Sequence, residues 1–282
     1  MRRSADWLSI WGLRVVTYGI VVVIGTIVFD IARRGMPALS WEFLTGKPRN
    51  GGAAGGIFPA IVGTFYLVVG TVAVAIPLGM ASAVYLSEYA HQGRWTRTIR
   101  NAITTLAGVP SIVFGLFGLG LFVLTMRFGA SILAGSLTLA CMVLPTIIVA
   151  SEEALRAVPR AFREGSLALG ATQWQSIFKS VLPYALPGML TGAILGVGRA
   201  AGETAPILLT AAAFYLPKLP RSVFDPVMAL PYHLYVLATQ HPASDQVRPL
   251  QYGSALVLLL LVLAANLGAI VLRSHMRKKY RW

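Results

Sequence analysis

The sequence predicts an all-α integral membrane protein with about six membrane-spanning helices. Three observations carry that prediction. Of the 282 residues, 56% are hydrophobic and only 12% are charged, where a soluble domain has roughly a quarter charged. The apolar residues fall in long runs that are apolar all round, not in one-sided helical patterns. The basic residues that give a net charge of +14 lie between those runs, where a membrane protein keeps its loop charges. Nucleic-acid binders gather Lys and Arg on one face, so the charge does not point to nucleic acid.

Backbone groups in lipid must bond within their own segment, so each apolar run reads as helix. The spans run from about Gly12 to Ile31, Ile57 to Leu86, Ile103 to Met126, Ser131 to Ala150, Tyr184 to Ala213 and Gly253 to Leu272. The second is longer than a bilayer needs, so it tilts or projects into the cytoplasm. A tight turn at Arg127 to Ala130 joins the third and fourth. The first run is too long for a signal peptide, and no small-residue cleavage site follows it before Asp30.

Fifteen of the 24 Lys and Arg lie on the side holding the N-terminus, the Arg94 to Arg100 loop, residues 152–183 and the tail. Eight lie on the other side, Arg33 and Arg34 among them, and Arg199 lies inside a span. The bias places both termini in the cytoplasm. Trp7, Trp11 and Trp282 are expected at the interface. The segment from Phe214 to Tyr252 contains Pro217, Pro220, Pro226, Pro231, Pro242 and Pro249 and is too long for a simple connector. It reads as a folded lid or as a docking surface for an outside partner.

Cys141 is the single cysteine, which rules out an internal disulfide. No two of the four histidines have i, i+4 spacing, so no metal site is expected. A P-loop is also missing. Gly46-Lys47 is followed by Pro48 where Ser or Thr is required, and Trp41 stands where the first Gly belongs. Glu88, at the cytoplasmic end of the second span, reads as an interfacial charge or a contact with the Arg94 to Arg100 loop.

The loop from Glu152 to Pro183 is the most informative stretch. Pro159 interrupts its first helical piece. A second piece runs from about Arg160 to Leu169, with Phe162, Leu167 and Leu169 among Arg163 and Glu164. Gly170 supplies a turn needing positive φ. Thr172, with Gln175 three residues on, has the capping-box pattern for a further helix. The result is a helical knob in water with apolar tips, which either packs on its own bundle or is covered by another surface.

The same loop resembles the cytoplasmic signature of binding-protein-dependent ABC importer permeases. Glu164, Gly170, Leu182 and Pro183 stand at the signature spacing. Gly165 and Ser166 replace its two alanines and keep them small, and Ser180 replaces its Ile. GGIFPAIVGTFYLVVG, YLSEYA, VPSIVFGLFGLG, LPTIIVASEEAL and GRAAGETAP are similar to segments of the PstA family of phosphate-import permease subunits, over roughly Gly55 to Leu209. The resemblance implies a type I ABC importer permease fold. It divides the chain into a first helix and outer loop (1–56), a permease core (57–272) with a coupling loop (152–183), and a basic tail (273–282). It further implies that Glu164, Gly165, Ser166, Leu169, Gly170, Ala171, Leu182 and Pro183 serve ATPase coupling. The partners it implies are a PstC-like permease subunit, a PstB-like ATPase dimer that binds ATP and Mg, and a PstS-like phosphate-binding protein. This chain would bind no cofactor itself.

Arg199 and Glu203 lie within the fifth span. Ionisable residues there are costly and usually face a bundle interior or a water-filled cavity. Their i, i+4 spacing puts them on one helix face. Pro206 follows and is expected to kink the helix, while Gly196, Gly198, Gly202, Ala200 and Ala201 allow close helix contact. The pair is either a self-neutralising bridge that fixes packing or a substrate path. In the second reading Arg199 meets phosphate oxygens with its planar fork and Glu203 orients it. A permease for another oxyanion, sulfate or molybdate, would share the loop. A stand-alone proton-coupled transporter would show internal repeats, which the sequence lacks.

Overall fold

A computed structural model describes residues 2–52, 54–242 and 246–279, with side chains from residue 10 to residue 278. Trp7, Trp282 and the outer end of the basic tail lie outside the described side chains. Five helices are long and apolar enough to cross a membrane, or six when the bent pair Arg94–Ala107 and Ser111–Thr125 is taken as one span. In chain order the helices are α1 (Arg2–Gly35), α2 (Trp41–Thr45), α3 (Phe58–Val84), α4 (Arg94–Ala107), α5 (Ser111–Gly118) and α6 (Ile132–Ala157). They continue with α7 (Arg160–Ala168), α8 (Gln173–Ser176), α9 (Leu182–Gly202), α10 (Ala205–Thr210), α11 (Leu230–Thr239) and α12 (Arg248–Lys279). A two-residue hairpin pairs Pro48–Arg49 with Ala54–Gly55.

Helix α6 is the hub. Two-thirds of its apolar window is buried, whereas none of that of α1 is. It packs on α3, α9, α4 and α5 through Leu139, Met142, Val143 and Ile147. Lipid gives helices little hydrophobic reason to associate, so small residues and interhelical hydrogen bonds hold such seams. At the α3–α6 seam Gly70 abuts Ser136. The Ser136 hydroxyl donates to the Leu67 carbonyl at 3.3 Å, and Thr71 donates to the Ser136 carbonyl at 3.4 Å.

The third predicted span is not one helix. The chain breaks at residues 108–110, and α4 meets the segment Ser111–Thr125 at 104°. Pro110 is extended, with φ −57° and ψ 139°. A proline also drives the residue before it out of the helical region. Pro110 thus divides the predicted span in two, and the second half of residues 111–125 is a π-helical turn. The expected turn after it forms with Arg127 and Gly129 at positive φ.

The segment after α10 folds back as a lid. Val227 bridges Ala212, its amide donating to Ala211 and its carbonyl accepting from Ala213. The carbonyls of Thr210, Asp225 and Val223 accept from the amides of Ser131, Ile132 and Leu133, amides a helix start leaves without intrahelical partners. The Leu230 amide donates to Thr64 Oγ1 at 2.8 Å, pinning α11 to α3. His233 is buried under the lid, stacked on Phe214 with ring centroids 5.6 Å apart. Burial pushes its imidazole down to about 4, against a weaker opposing effect of the Phe214 backbone. Beside α12, the basic end of α1 is locally balanced. Arg34 is paired with Asp30 at 2.8 Å and lies over the Tyr252 ring.

Candidate functional site

Two groups of predicted site residues sit at opposite ends of α9. At one end, α6 stops at Val158 and the extended Pro159 turns the chain into α7. Gly170 has φ +83°. Thr172 and Gln175 close a capping box, with the Gln175 amide donating to Thr172 Oγ1 and the Thr172 amide to Gln175 Oε1. The knob therefore has the helix, turn and helix that the sequence implies.

One face of the knob packs on the bundle. Phe162 meets Tyr184 edge-on at 4.8 Å, and Leu155, Val158, Ile177 and Val181 are buried beside it. Ser166 donates to the Arg163 carbonyl and pairs with the Ser176 hydroxyl, clamping α7 to α8. The other face is bare. Leu169 is 90% exposed and Trp174 59%, and Trp174 lies 4.1 Å from Phe178, centroid to centroid. Glu164, Gly165 and Gly170 are exposed, while Ala171, Leu182 and Pro183 are half-buried at the base.

A pair of ionic joints fastens this knob, and the sequence reading missed both. Arg163 donates to both Glu88 oxygens, at 3.0 and 2.7 Å, and to the carbonyls of Val158 and Leu155, each at 2.8 Å. Glu88 thus pairs with α7 and not with the Arg94 to Arg100 loop. Gln173 adds a bond to the Glu88 carbonyl at 2.8 Å. In the second joint Glu152 holds Arg100 at 2.7 Å and Arg156 at 2.6 Å, and Arg100 also donates to the Leu86 carbonyl. Glu152–Arg156 carries an i, i+4 signal. The long-range pairs carry none.

At the other end of α9, Arg199 Nε lies 3.3 Å from Glu203 Oε1. Glu203 is the extended C-cap of α9. The helix thus ends at Gly202, whose carbonyl Pro206 leaves without an i+4 donor, and Pro206 sits in the first turn of α10. Gly196 packs on Ile147 and Gly198 on Asn266, as expected of close contacts, but Gly202 faces open space. Glu203 borders a crevice of about 10 Å³ with Leu67, Leu139, Ala200 and Ile207, barely the room for one water. The Arg199 side chain, 37% exposed, is the more open of the two.

Residues 75–282 match the family of binding-protein-dependent transport system inner membrane components. This chain belongs to that family. Among its relatives, the probable ABC transporter permease protein YqgI of Bacillus subtilis is 37% identical over 257 residues, 87% of either chain. The phosphate transport system permease protein PstA 1 of Mycobacterium tuberculosis is 39% identical over 221 residues, 78% of this chain and 71% of that one. The probable phosphate transport system permease protein PstA of Methanocaldococcus jannaschii is 35% identical over 243 residues, 84% of this chain and 83% of that one. Two solved structures share the fold. A chain of a bacterial alginate ABC transporter gives a TM-score of 0.66 at 12% identity, covering 98% of this chain and 96% of its own. A chain of the inward-facing MetNI methionine transporter gives 0.63 at 17% identity, covering 78% and 97%. The chain is thus an inner membrane permease subunit with the type I ABC importer fold. Leu169 and Trp174 stay exposed on the knob at one end of α9, and Arg199 is the more open member of its ion pair at the other.

Proposed function

We propose that this chain is one permease subunit of an ATP-driven inorganic phosphate importer, forming half of the pore with a PstC-like subunit. The observation that carries this reading is the half-packed knob. Large apolar side chains standing bare on a rigid, ion-paired support are expected of a surface that another protein covers. The occupant would be a PstB-like ATPase, which binds the ATP and Mg. A PstS-like binding protein would deliver phosphate on the opposite face. Under this reading both termini, α4 and the knob face the cytoplasm, and the lid faces outside. Phosphate as the substrate is supported by the similarity to PstA proteins over most of the chain.

In this arrangement Arg199 meets the anion at the seam between two subunits, its side chain being the more open of the pair while the crevice beside Glu203 holds barely one water. A single 3.3 Å bond to Glu203 leaves most of the guanidinium fork free for phosphate oxygens. Permanent charge attracts the anion, and the nearby carboxylate keeps the site from trapping it. Residues Glu164, Gly165, Ser166, Leu169, Gly170, Ala171, Leu182 and Pro183 shape or present the docking knob.

The test is labelled phosphate uptake at low external phosphate in cells lacking this subunit. They would be complemented with wild type or Arg199→Gln at matched membrane levels. Wild type is expected to restore ATP-dependent uptake, and Arg199→Gln to lose most of it. Failure of wild type to restore uptake, with partner subunits assembled, would overturn the phosphate assignment and favour sulfate or molybdate.

A further inference from the structure

The α4 helix is the part of the molecule that the permease reading leaves without a task. It is 14 residues long and does not cross. A 104° bend separates it from residues 111–125, so when that segment crosses, the axis of α4 lies toward the membrane plane. Its residues divide into three faces by helical spacing. Thr96, Arg100, Ile103 and Ala107 form the face toward the protein. Trp95, Ile99 and Leu106 form an apolar stripe that is 84%, 47% and 46% exposed. Arg94, Arg97, Asn101 and Thr104 form an exposed polar face. Residues 91–110 contain no acidic side chain, and neither Arg94 nor Arg97 has an ion-pair partner among the described residues.

We propose that α4 lies in the cytoplasmic leaflet, Trp95, Ile99 and Leu106 in the acyl boundary, and that Arg94 and Arg97 bind anionic phospholipid headgroups. An apolar stripe beside a basic face is the pattern of an in-plane interfacial helix. The stripe is followed directly in the chain by Ile112, Val113, Leu116 and Phe117, all exposed on the crossing segment, so the lipid-facing surface continues into it. Charge complementarity selects the occupant, because two unpaired arginines with no acidic neighbour on the helix favour an anionic surface.

The same helix reaches the coupling machinery. Arg100 holds Glu152 on α6 at 2.7 Å and the Leu86 carbonyl, in the π-helical turn Tyr85–Tyr89 that follows α3, at 2.7 Å. Seating α4 in the leaflet therefore fixes the helix ends from which the knob emerges. Lipid charge becomes a condition of full coupling. This rests on the proposed orientation, with α4 at the cytoplasmic face.

The test uses the complete transporter, this chain with its partner subunits, in proteoliposomes of phosphatidylcholine with or without phosphatidylglycerol. Each basic residue near an anionic surface contributes a factor of about five in binding, so two give up to about 30-fold in seated helix at low salt. ATP hydrolysis and uptake are expected to rise several-fold with phosphatidylglycerol and to lose that rise at high salt. The Arg94→Gln, Arg97→Gln double variant is expected to keep the rate in phosphatidylcholine and lose the rise. An unchanged lipid response in that variant overturns the proposal. A second measurement needs no transport. With Cys141→Ala, a bimane label on Ile99→Cys is expected to be quenched by nitroxides on lipid acyl chains. A label shielded from lipid would show that a protein subunit covers the stripe and would also overturn the proposal, leaving the phosphate reading untouched.

Discussion

Replacing Arg163 with alanine tests whether the knob is driven through its ionic joint. The Arg163 guanidinium donates four hydrogen bonds, two to Glu88 and one each to Leu155 and Val158. Its side chain is 22% exposed and that of Glu88 only 8%. Bonds to charged groups contribute about 1.5–3 kcal/mol each, but the desolvation of both ions offsets much of a simple sum. Removing one partner of such a pair costs about 3–5 kcal/mol, because the other charge stays buried and unpaired. The α3, α6 and α9 seams do not include Arg163, so the loss falls on how the knob is held. The assay is the ratio of uptake to ATP hydrolysis in the purified transporter, read beside its thermal melting. Arg163→Ala should lower that ratio about tenfold or more, the equivalent of about 1.4 kcal/mol of lost coupling, with the ATPase still bound. Arg163→Lys keeps the charge without the fork and should fall between. A wild-type ratio in Arg163→Ala would refute the joint.

Three further substitutions read other parts of the design. A side chain added at Gly165 meets nothing within 4 Å, so Gly165→Leu should insert and melt as wild type; loss of ATPase co-purification would then report the partner surface directly. Gly170→Leu also meets open space, but at φ +83° it costs about 1–2 kcal/mol of backbone strain and should lower uptake at normal membrane levels. His233, buried and held at about 4 against its ordinary 6.5, is neutral when folded. The unfolded chain takes up the proton first, so this stability is complete above pH 6.5 and is lost as pH falls from 6.5 through about 4. The shift corresponds to about 3 kcal/mol, and His233→Phe should flatten that limb of the melting temperature against pH relative to wild type.

Local signals were legible in the sequence and distant ones were not. The capping box at Thr172 and Gln175 and the turn at Gly170 each depend on a few adjacent residues, and both stand in the structure as the spacing implies. The break before Pro110 was hidden because hydropathy averages across a single proline in an apolar run. Yet Trp95, Ile99 and Leu106 already carried the amphipathic period of a separate helix. Pro206 marked the right turn of the fifth span: the helix ends at Gly202, whose carbonyl the proline cannot serve, and the backbone is extended at Glu203. Arg163 and Glu88 are 75 residues apart and Arg100 and Glu152 are 52 apart. Which of many loop arginines meets which acid depends on how α3, α4 and α6 pack, and no periodicity records that.

The two Arg–Glu pairs differ in a way that suits different work. Arg163 is bound at every side of its fork and fixes one geometry. Among the described residues Arg199 keeps one 3.3 Å contact, to Glu203, and stays more than a third exposed, so on the proposed reading an approaching anion would recruit it without first breaking a network. The π-helical turn Ile177–Val181 runs from the knob straight into α9, so a single helix connects the two. Arg199 lies 17 residues beyond Leu182, about 26 Å along the axis. If the knob tilts α9 about that base by about 10°, Arg199 moves by about 4–5 Å. That is enough to carry a guanidinium from contact with an anion to beyond hydrogen-bond reach. On the proposed reading, the firmly held Arg163 steadies the knob at one end of α9 and the loosely held Arg199 meets the anion at the other, and weakening the first should change how far the second travels.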